Sequence, residues 1–246
     1  MQEKERNRVW TEEQRSHAWI IVSFARIGLN LSVSPCIASA FILLHNYFAD
    51  PNHSDEELYI LLTAALFLAC KIEDTYRSME LIFKELANSI LLVKKRLKPQ
   101  QAKEYLGDRD FSKNTLTIEE MKKVGICEIH ILNSIGWNME IDLPFSHFNE
   151  IQPAFNSMAQ TDANDLQNRF NYVLRDICLI LKNENYLKIP PPISAAAAIL
   201  HAFHGKNLPE NAVAWIEGLQ KQSPELFQMA YQIIVVEGAK CVPIGK

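Results

Sequence analysis

A chain of 246 residues, 48% of them apolar and only eight of them glycine, is long enough for two cores of about 120 residues each. That composition points to helices and away from a turn-rich all-β protein or an α/β protein with glycine loops. The formal charge of -4 gives no basic surplus for wrapping nucleic acid, and the charged opening MQEKERNRVW lacks the apolar core of a secretion signal. No long uncharged apolar run follows, so the pattern predicts a soluble, non-secreted protein without a membrane partner. Cys36, Cys70, Cys127, Cys178 and Cys241 are mutually distant, and four of them lie in apolar helical runs, which predicts reduced packing residues.

In chain order, residues 1–11 form a polar lead, and Trp10 with Thr11 to Glu13 opens a helix that Gly28 and Asn30 help to end. Ser34 and Pro35 then read as an N-cap and a first-turn proline, followed by a helix with Ile37, Ala40, Phe41, Leu44 and Phe48 on one face. The stretch LYILLTAALFLACKIED, Leu58 to Asp74, has no polar face before Lys71, so it predicts the buried central helix of a bundle. Lys71, Glu73 and Asp74 arrive together where that helix leaves the core, either as a partner-binding cluster or as a solvated end with Lys71 snorkelling. A fourth helix runs from Ser78 to Leu91 and ends in the basic run Lys94, Lys95, Arg96 and Lys98. From there to Asn114, past Pro99 and Gly107, the pattern predicts a long mobile connection with little core of its own.

Thr117 and Glu120 form a capping-box signature for a fifth helix ending near Trp137, with Val124, Ile131, Leu132 and Ile135 on its apolar face. Glu128 starts from that stripe. Either it lies at the edge in water or it needs a cation, and Lys71 is the candidate. Asp142-Leu143-Pro144 breaks the pattern and opens a second set of helices at 145–158, 162–184, 191–204, 210–219 and 224–236. ISAAAAILHAF after Pro191-Pro192 reads as the central helix of that set, about 133 positions after AALFLAC, a spacing that predicts a duplicated unit. On this register His204 stands where Lys71 stands.

The chain holds no GxSxG, P-loop, GxGxxG, HExxH or CxxC motif, so neither an enzyme nor a cofactor is expected. His201 and His204 have an i, i+3 spacing, but no other ligand signature accompanies them, and no metal is assigned.

SPCIASAFILLHNYF together with LLTAALFLACKIEDTYRSMELIF resembles a cyclin box, with an alanine-rich helix 3 followed by a K-x-E-[ED] stretch. EIHILNSIGWNMEIDLPFSHF is similar to the family's fifth helix and exit, and YLKIPPPISAAAAILHAF to the central helix of a second box. The resemblance implies an all-α fold of two tandem five-helix boxes, at 12–141 and 142–240, with a tail at 241–246. It further implies a regulatory subunit that binds and activates a cyclin-dependent Ser/Thr kinase through Lys71, Ile72, Glu73, Glu128, Leu132 and Trp137. The M-R-A-I-L docking motif of cell-cycle cyclins is absent around Arg15 to Val22. The Trp10 to Gln14 opening, the long connection and the IDLP exit look more like transcription-associated cyclins of types T, K, L and C. That likeness places the chain in the nucleus, with the cytoplasm as a second compartment. The alternative is a cyclin-fold adaptor of the factor IIB sort that contacts DNA and polymerase. Nothing in the pattern points to self-association.

Overall fold

The computed structural model describes residues 10–54, 56–95 and 109–240, with the backbone alone at 157 and 159–162, and among them every regular element is helical. The chain divides into two compact units, Met1–Ile141 and Asp142–Lys246. No described helix is long and apolar enough to cross a membrane.

In the first unit, α1 spans Glu12–Leu29. The Thr11 hydroxyl accepts from the Gln14 N–H at 3.2 Å while Gln14 Oε1 accepts from the Thr11 N–H at 3.1 Å, closing a capping box. Ala18, Ile21, Val22, Ala25 and Leu29 are buried at the expected spacing. Asn30, at φ 50°, ends the helix in the left-handed conformation. Gly28 lies inside the last turn of the helix, and a β-carbon there would meet the Glu85 carboxylate of α4, Met79–Lys94, the end of a side chain that can turn aside.

The chain next makes a π-helical turn at Val33–Ile37 and begins α2 at Ala38, running to Ala49. The expected cap at Ser34 is absent: Ser34 adopts φ -109° and ψ 130° inside the turn, its bond to Pro35 is cis, and its carbonyl accepts from the Ser32 hydroxyl. The one-faced reading of α2 is also too narrow, since Ala38 through His45 and Tyr47 are all buried. α3 spans Leu58–Ile72 and buries every residue from Leu58 to Cys70 except Phe67, which is half-buried. Its one polar side chain there, Thr63, donates to the Tyr59 carbonyl at 2.7 Å, so an apolar cage costs it no hydrogen bond. α1, α2, α4 and α5, Ile118–Ser134, all pack on α3.

The start of α5 carries the predicted capping box, with the Thr117 N–H donating to Glu120 at 2.7 Å and the Glu120 N–H to the Thr117 hydroxyl at 3.2 Å. Its end falls short of Trp137. Gly136 and Trp137 turn left-handed at φ 61° and 59°, and the Trp137 N–H closes back on the Leu132 carbonyl at 2.9 Å. The expectation of a coreless connection fails at its described end. Phe111 is 1% exposed and meets the Tyr59 ring edge-on at 5.3 Å, and the Arg109 guanidinium lies 4.4 Å from the Phe83 centroid. The lead before Trp10, the run from Arg96 through Lys98, Pro99, Gly107 and Cys241 with its tail lie outside the described residues.

In the second unit, α6 is Pro144–Ile151, and a 3-10 turn at Gln152–Phe155 leads into α7, Asn156–Lys182. The predicted helices at 145–158 and 162–184 are thus divided in the wrong place. The break falls at Pro153, which has no N–H to give, and the chain then runs unbroken to Lys182. α8, Pro191–Ala202, buries Ile193 through Ile199, and α6, α7, α9 (Glu210–Gln222) and α10 (Pro224–Lys240) pack on it. Its C-cap Phe203, at φ -100° and ψ 13°, matches the C-cap of α3, Glu73 at φ -95° and ψ 18°. Counted from those C-caps His201 takes the place of Lys71, whereas the N-caps, Glu57 and Pro190, both at ψ 139°, keep the expected spacing of 133 that sets His204 there. His201 Nδ1 lies 2.7 Å from Asp176 Oδ2, whereas His204 sits in the exposed turn beyond the helix, so the i, i+3 pair is not one site.

Because Ala65 and Ala197 are fully buried on the two central helices, replacing either by leucine should overpack a helix crossing and cost about 1 to 3 kcal/mol. Thermal melts check this, and an unchanged midpoint in both variants would show that the neighbouring helices do not press on those positions.

Candidate functional site

The apolar run of α3 ends at Cys70, and the next four residues make a charged corner. Lys71 Nζ forms an ion pair with Glu128 Oε1 of α5, with the two side chains 39% and 15% exposed. Glu128 stands between the buried Val124 and Ile131, so its carboxylate is partly desolvated and the ammonium compensates it. The reading of Glu128 in water therefore does not hold, while Lys71, exposed at the helix end, is both snorkelling and paired. The ammonium also lies 4.3 Å from the Phe67 ring centroid, and burial moves the Lys71 pKa below its ordinary value.

The remaining expected site residues divide into two kinds. Ile72 and Leu132 are half-buried and pack on the common core from α3 and α5. Glu73 is held inward, accepting from the Ser39 hydroxyl of α2 at 2.5 Å. Trp137 is 58% exposed, and its indole N–H donates locally to Asn133 Oδ1 at 2.8 Å. The geometry thus joins Lys71 to Glu128 and ties Glu73 to α2, while the hydrogen bond of Trp137 stays within the end of α5.

Arg77 was not singled out by sequence reasoning, yet it fixes the corner. Its Nε donates to the Leu29 carbonyl at 2.8 Å, Nη2 to the Asn30 carbonyl at 3.3 Å, and Nη1 to the Tyr76 carbonyl at 2.8 Å. A cation here meets the negative end of the α1 dipole and fastens the segment after the corner to α1. The sequence signal was an arginine in a short interhelical link. Which helix end it would cap depends on the tertiary fold. Asp74, at φ 49°, and the Thr75 N–H bonded to the Cys70 carbonyl at 2.9 Å complete the turn. The arrangement presents an ammonium, a carboxylate and flanking apolar surface, a combination suited to gripping backbone and polar groups of another protein.

The family profile described as the cyclin N-terminal domain matches residues 3–140. Among curated proteins, mouse Cyclin-T1 (Mus musculus) is 26% identical over 139 residues, a match that takes in 55% of this chain and 17% of that protein. The chain therefore spans under a fifth of the length of this relative. The profile covers more than half of the 246 residues and takes in both partners of the Lys71–Glu128 pair, and on that footing the chain belongs to the cyclin family.

Proposed function

We propose that this cyclin-like regulator binds and activates a cyclin-dependent Ser/Thr protein kinase through the corner formed by Lys71 and Glu128. The observation that carries the reading is the half-exposed ion pair itself. It lies at the edge of a buried bundle inside the family match, with Ile72 and Leu132 on either side. The mechanism is allosteric: the corner holds the regulatory helix of the kinase inward, which completes the kinase's own lysine–glutamate pair and orders its activation segment. Likeness to a T-type cyclin supports a transcription-associated role and residence in the nucleus. The alanine-rich α8 and the helices around it support reading Asp142 to Lys240 as a second cyclin box.

The test is capture on the purified chain from native extract, followed by assay of Ser/Thr peptide phosphorylation. Co-purifying kinase activity that rises with added chain is expected. Salt-sensitive binding to promoter DNA without kinase activity would favour the adaptor instead. A tagged chain kept out of nuclei at all times would remove the transcriptional part and leave kinase binding standing.

A further inference from the structure

The link after the charged corner carries a side chain that the fold does not use. Tyr76 is 68% exposed, more than any other described tyrosine, and its hydroxyl makes no hydrogen bond among the described residues. Tyr47, Tyr59 and Tyr186 are buried and Tyr231 is half-buried on α10, while Tyr172, 50% exposed on α7, has its ring centroid 4.9 Å from the Arg175 guanidinium. Tyr76 alone of these stands outside a helical segment, in residues 75–78 between α3 and α4, where Ser78 is extended at φ -68° and ψ 150°. Glu73 and Asp74 precede it by three and two positions. From this setting we propose that Tyr76 is a phosphorylation site for a protein tyrosine kinase, and that its phosphate draws Arg77 off the end of α1 and loosens the corner.

A kinase cleft takes its acceptor as an extended segment, so a tyrosine inside a helix is reached only after unwinding, a cost that Tyr76 escapes. Carboxylates ahead of the acceptor complement a basic cleft and help to set the register. In the transfer the Tyr76 oxygen attacks the γ-phosphorus of ATP as the bond from that phosphorus to the bridging oxygen breaks. ADP leaves with the electron pair, and the phenolic proton passes to the catalytic aspartate of the tyrosine kinase. The product brings a charge of about -1.5 to -2 into a place poorly suited to it. α3 runs directly into the link, and Arg77 ties the link to the Leu29 and Asn30 carbonyls at 2.8 and 3.3 Å, so the negative ends of two helix dipoles meet there beside Glu73 and Asp74. The guanidinium of Arg77 is the neighbouring cation, with Nη1 2.8 Å from the Tyr76 carbonyl. A phosphate offers it charged oxygens in place of neutral carbonyls, and a charge-assisted bond is about twice as strong. Arg77 therefore turns outward, and the segment bearing Glu73 and Asp74 loses its tie to α1.

Any effect on a bound cyclin-dependent kinase rests on the function proposed above, while the modification does not, so the test uses no such kinase. The full chain is incubated with ATP and a tyrosine kinase domain active on a glutamate–tyrosine copolymer, and the labelled residues are mapped by mass spectrometry. Labelling at Tyr76 is expected to run roughly tenfold or more ahead of Tyr172, which has its helix to unwind. Asp74→Asn keeps the left-handed turn at φ 49° and should slow that labelling several-fold. Amide exchange at Asn30 and Leu31, bonded to the Ile27 and Arg26 carbonyls, should rise by roughly tenfold or more in the phosphorylated chain and return after phosphatase treatment. In Arg77→Ala the same amides should exchange fast from the start, with little added by phosphate. Tyr76 left unlabelled while the copolymer is consumed, or labelled no faster than Tyr172, would overturn the site. Phosphate on Tyr76 with unchanged exchange at Asn30 and Leu31 would overturn the release of Arg77. The wild-type chain decides both points even where a variant fails to fold. Failure of the unmodified chain to bind a cyclin-dependent kinase would remove the functional reading and leave this one intact.

Discussion

Replacing Lys71 or Glu128 singly by alanine is expected to weaken kinase binding by roughly 2 to 5 kcal/mol, thirtyfold or more, while the bundle stays folded. In the free chain Lys71 is 39% exposed, so solvent screens part of the pair, although Glu128, 15% exposed, still loses its cation, and the melting midpoint should fall without unfolding the bundle. In the proposed kinase complex the corner would be covered, and whichever partner survives would become a desolvated, uncompensated charge. The double variant should therefore lose much less than the sum of the single losses. A pair that only supports the fold predicts lowered melting midpoints with unaltered affinity in the folded fraction. Melting and kinase affinity measured for all four members of the cycle separate the cases, and unaltered affinity in both single variants would take the site out of this account.

The largest effect on stability is expected at Arg109 and Glu120, whose side chains are 13% and 14% exposed. Arg109 donates to both carboxylate oxygens, with Nη2 at 3.0 Å from Oε2, and also to the carbonyls of Lys113 and Thr115 at 3.0 and 2.8 Å. Glu120 meanwhile caps α5 and accepts from the Tyr59 hydroxyl at 3.1 Å. Arg109→Ala leaves that carboxylate buried without its cation and should cost about 3 to 5 kcal/mol. The Arg109 bonds, opposed by burial and aided by the Thr117 bonds, hold the Glu120 pKa down at about 2, against an ordinary 4.5. A depressed carboxylate stabilises the fold fully above its unfolded pKa, and the benefit is lost as pH falls through the folded one. About 3 kcal/mol should thus disappear between pH 4.5 and about 2. Urea unfolding of wild type and Glu120→Gln across that window isolates this contribution from other carboxylates. Parallel acid profiles for the two proteins would show that Glu120 is not the group responsible.

What could be read from the sequence depended on how local the cause was. Thr117 and Glu120 lie three residues apart and made their capping box legible, and the apolar run of α3 announced its burial without any partner in view. The pairing of Lys71 with Glu128, 57 positions apart, was legible because one side chain on a buried stripe posed a deficit that few residues could satisfy. Phe111 gave no such sign. A single aromatic in a polar stretch has no periodicity, and its pocket is made by Tyr59 on another element together with the charge pair that seals it. Ser34 misled for a related reason: Ser-Pro before an apolar run is a common helix start, and nothing local announces the turn that packs against α1 and α3.

The bonding of Arg77 has a bearing on how any mutational survey of this surface is interpreted. Its guanidinium is spent on the backbone carbonyls of Leu29, Asn30, Thr75 and Tyr76. Truncating it would let the segment bearing Glu73 and Asp74 drift from the end of α1. An alanine scan would then score Arg77 as a hot spot although it need never touch the kinase, because such scans record the reorganisation of the free protein together with lost contacts. Charge reversal on the kinase would separate the two kinds of position: a compensating change there can rescue a residue that makes contact, whereas nothing on the partner can restore a fastening internal to this chain.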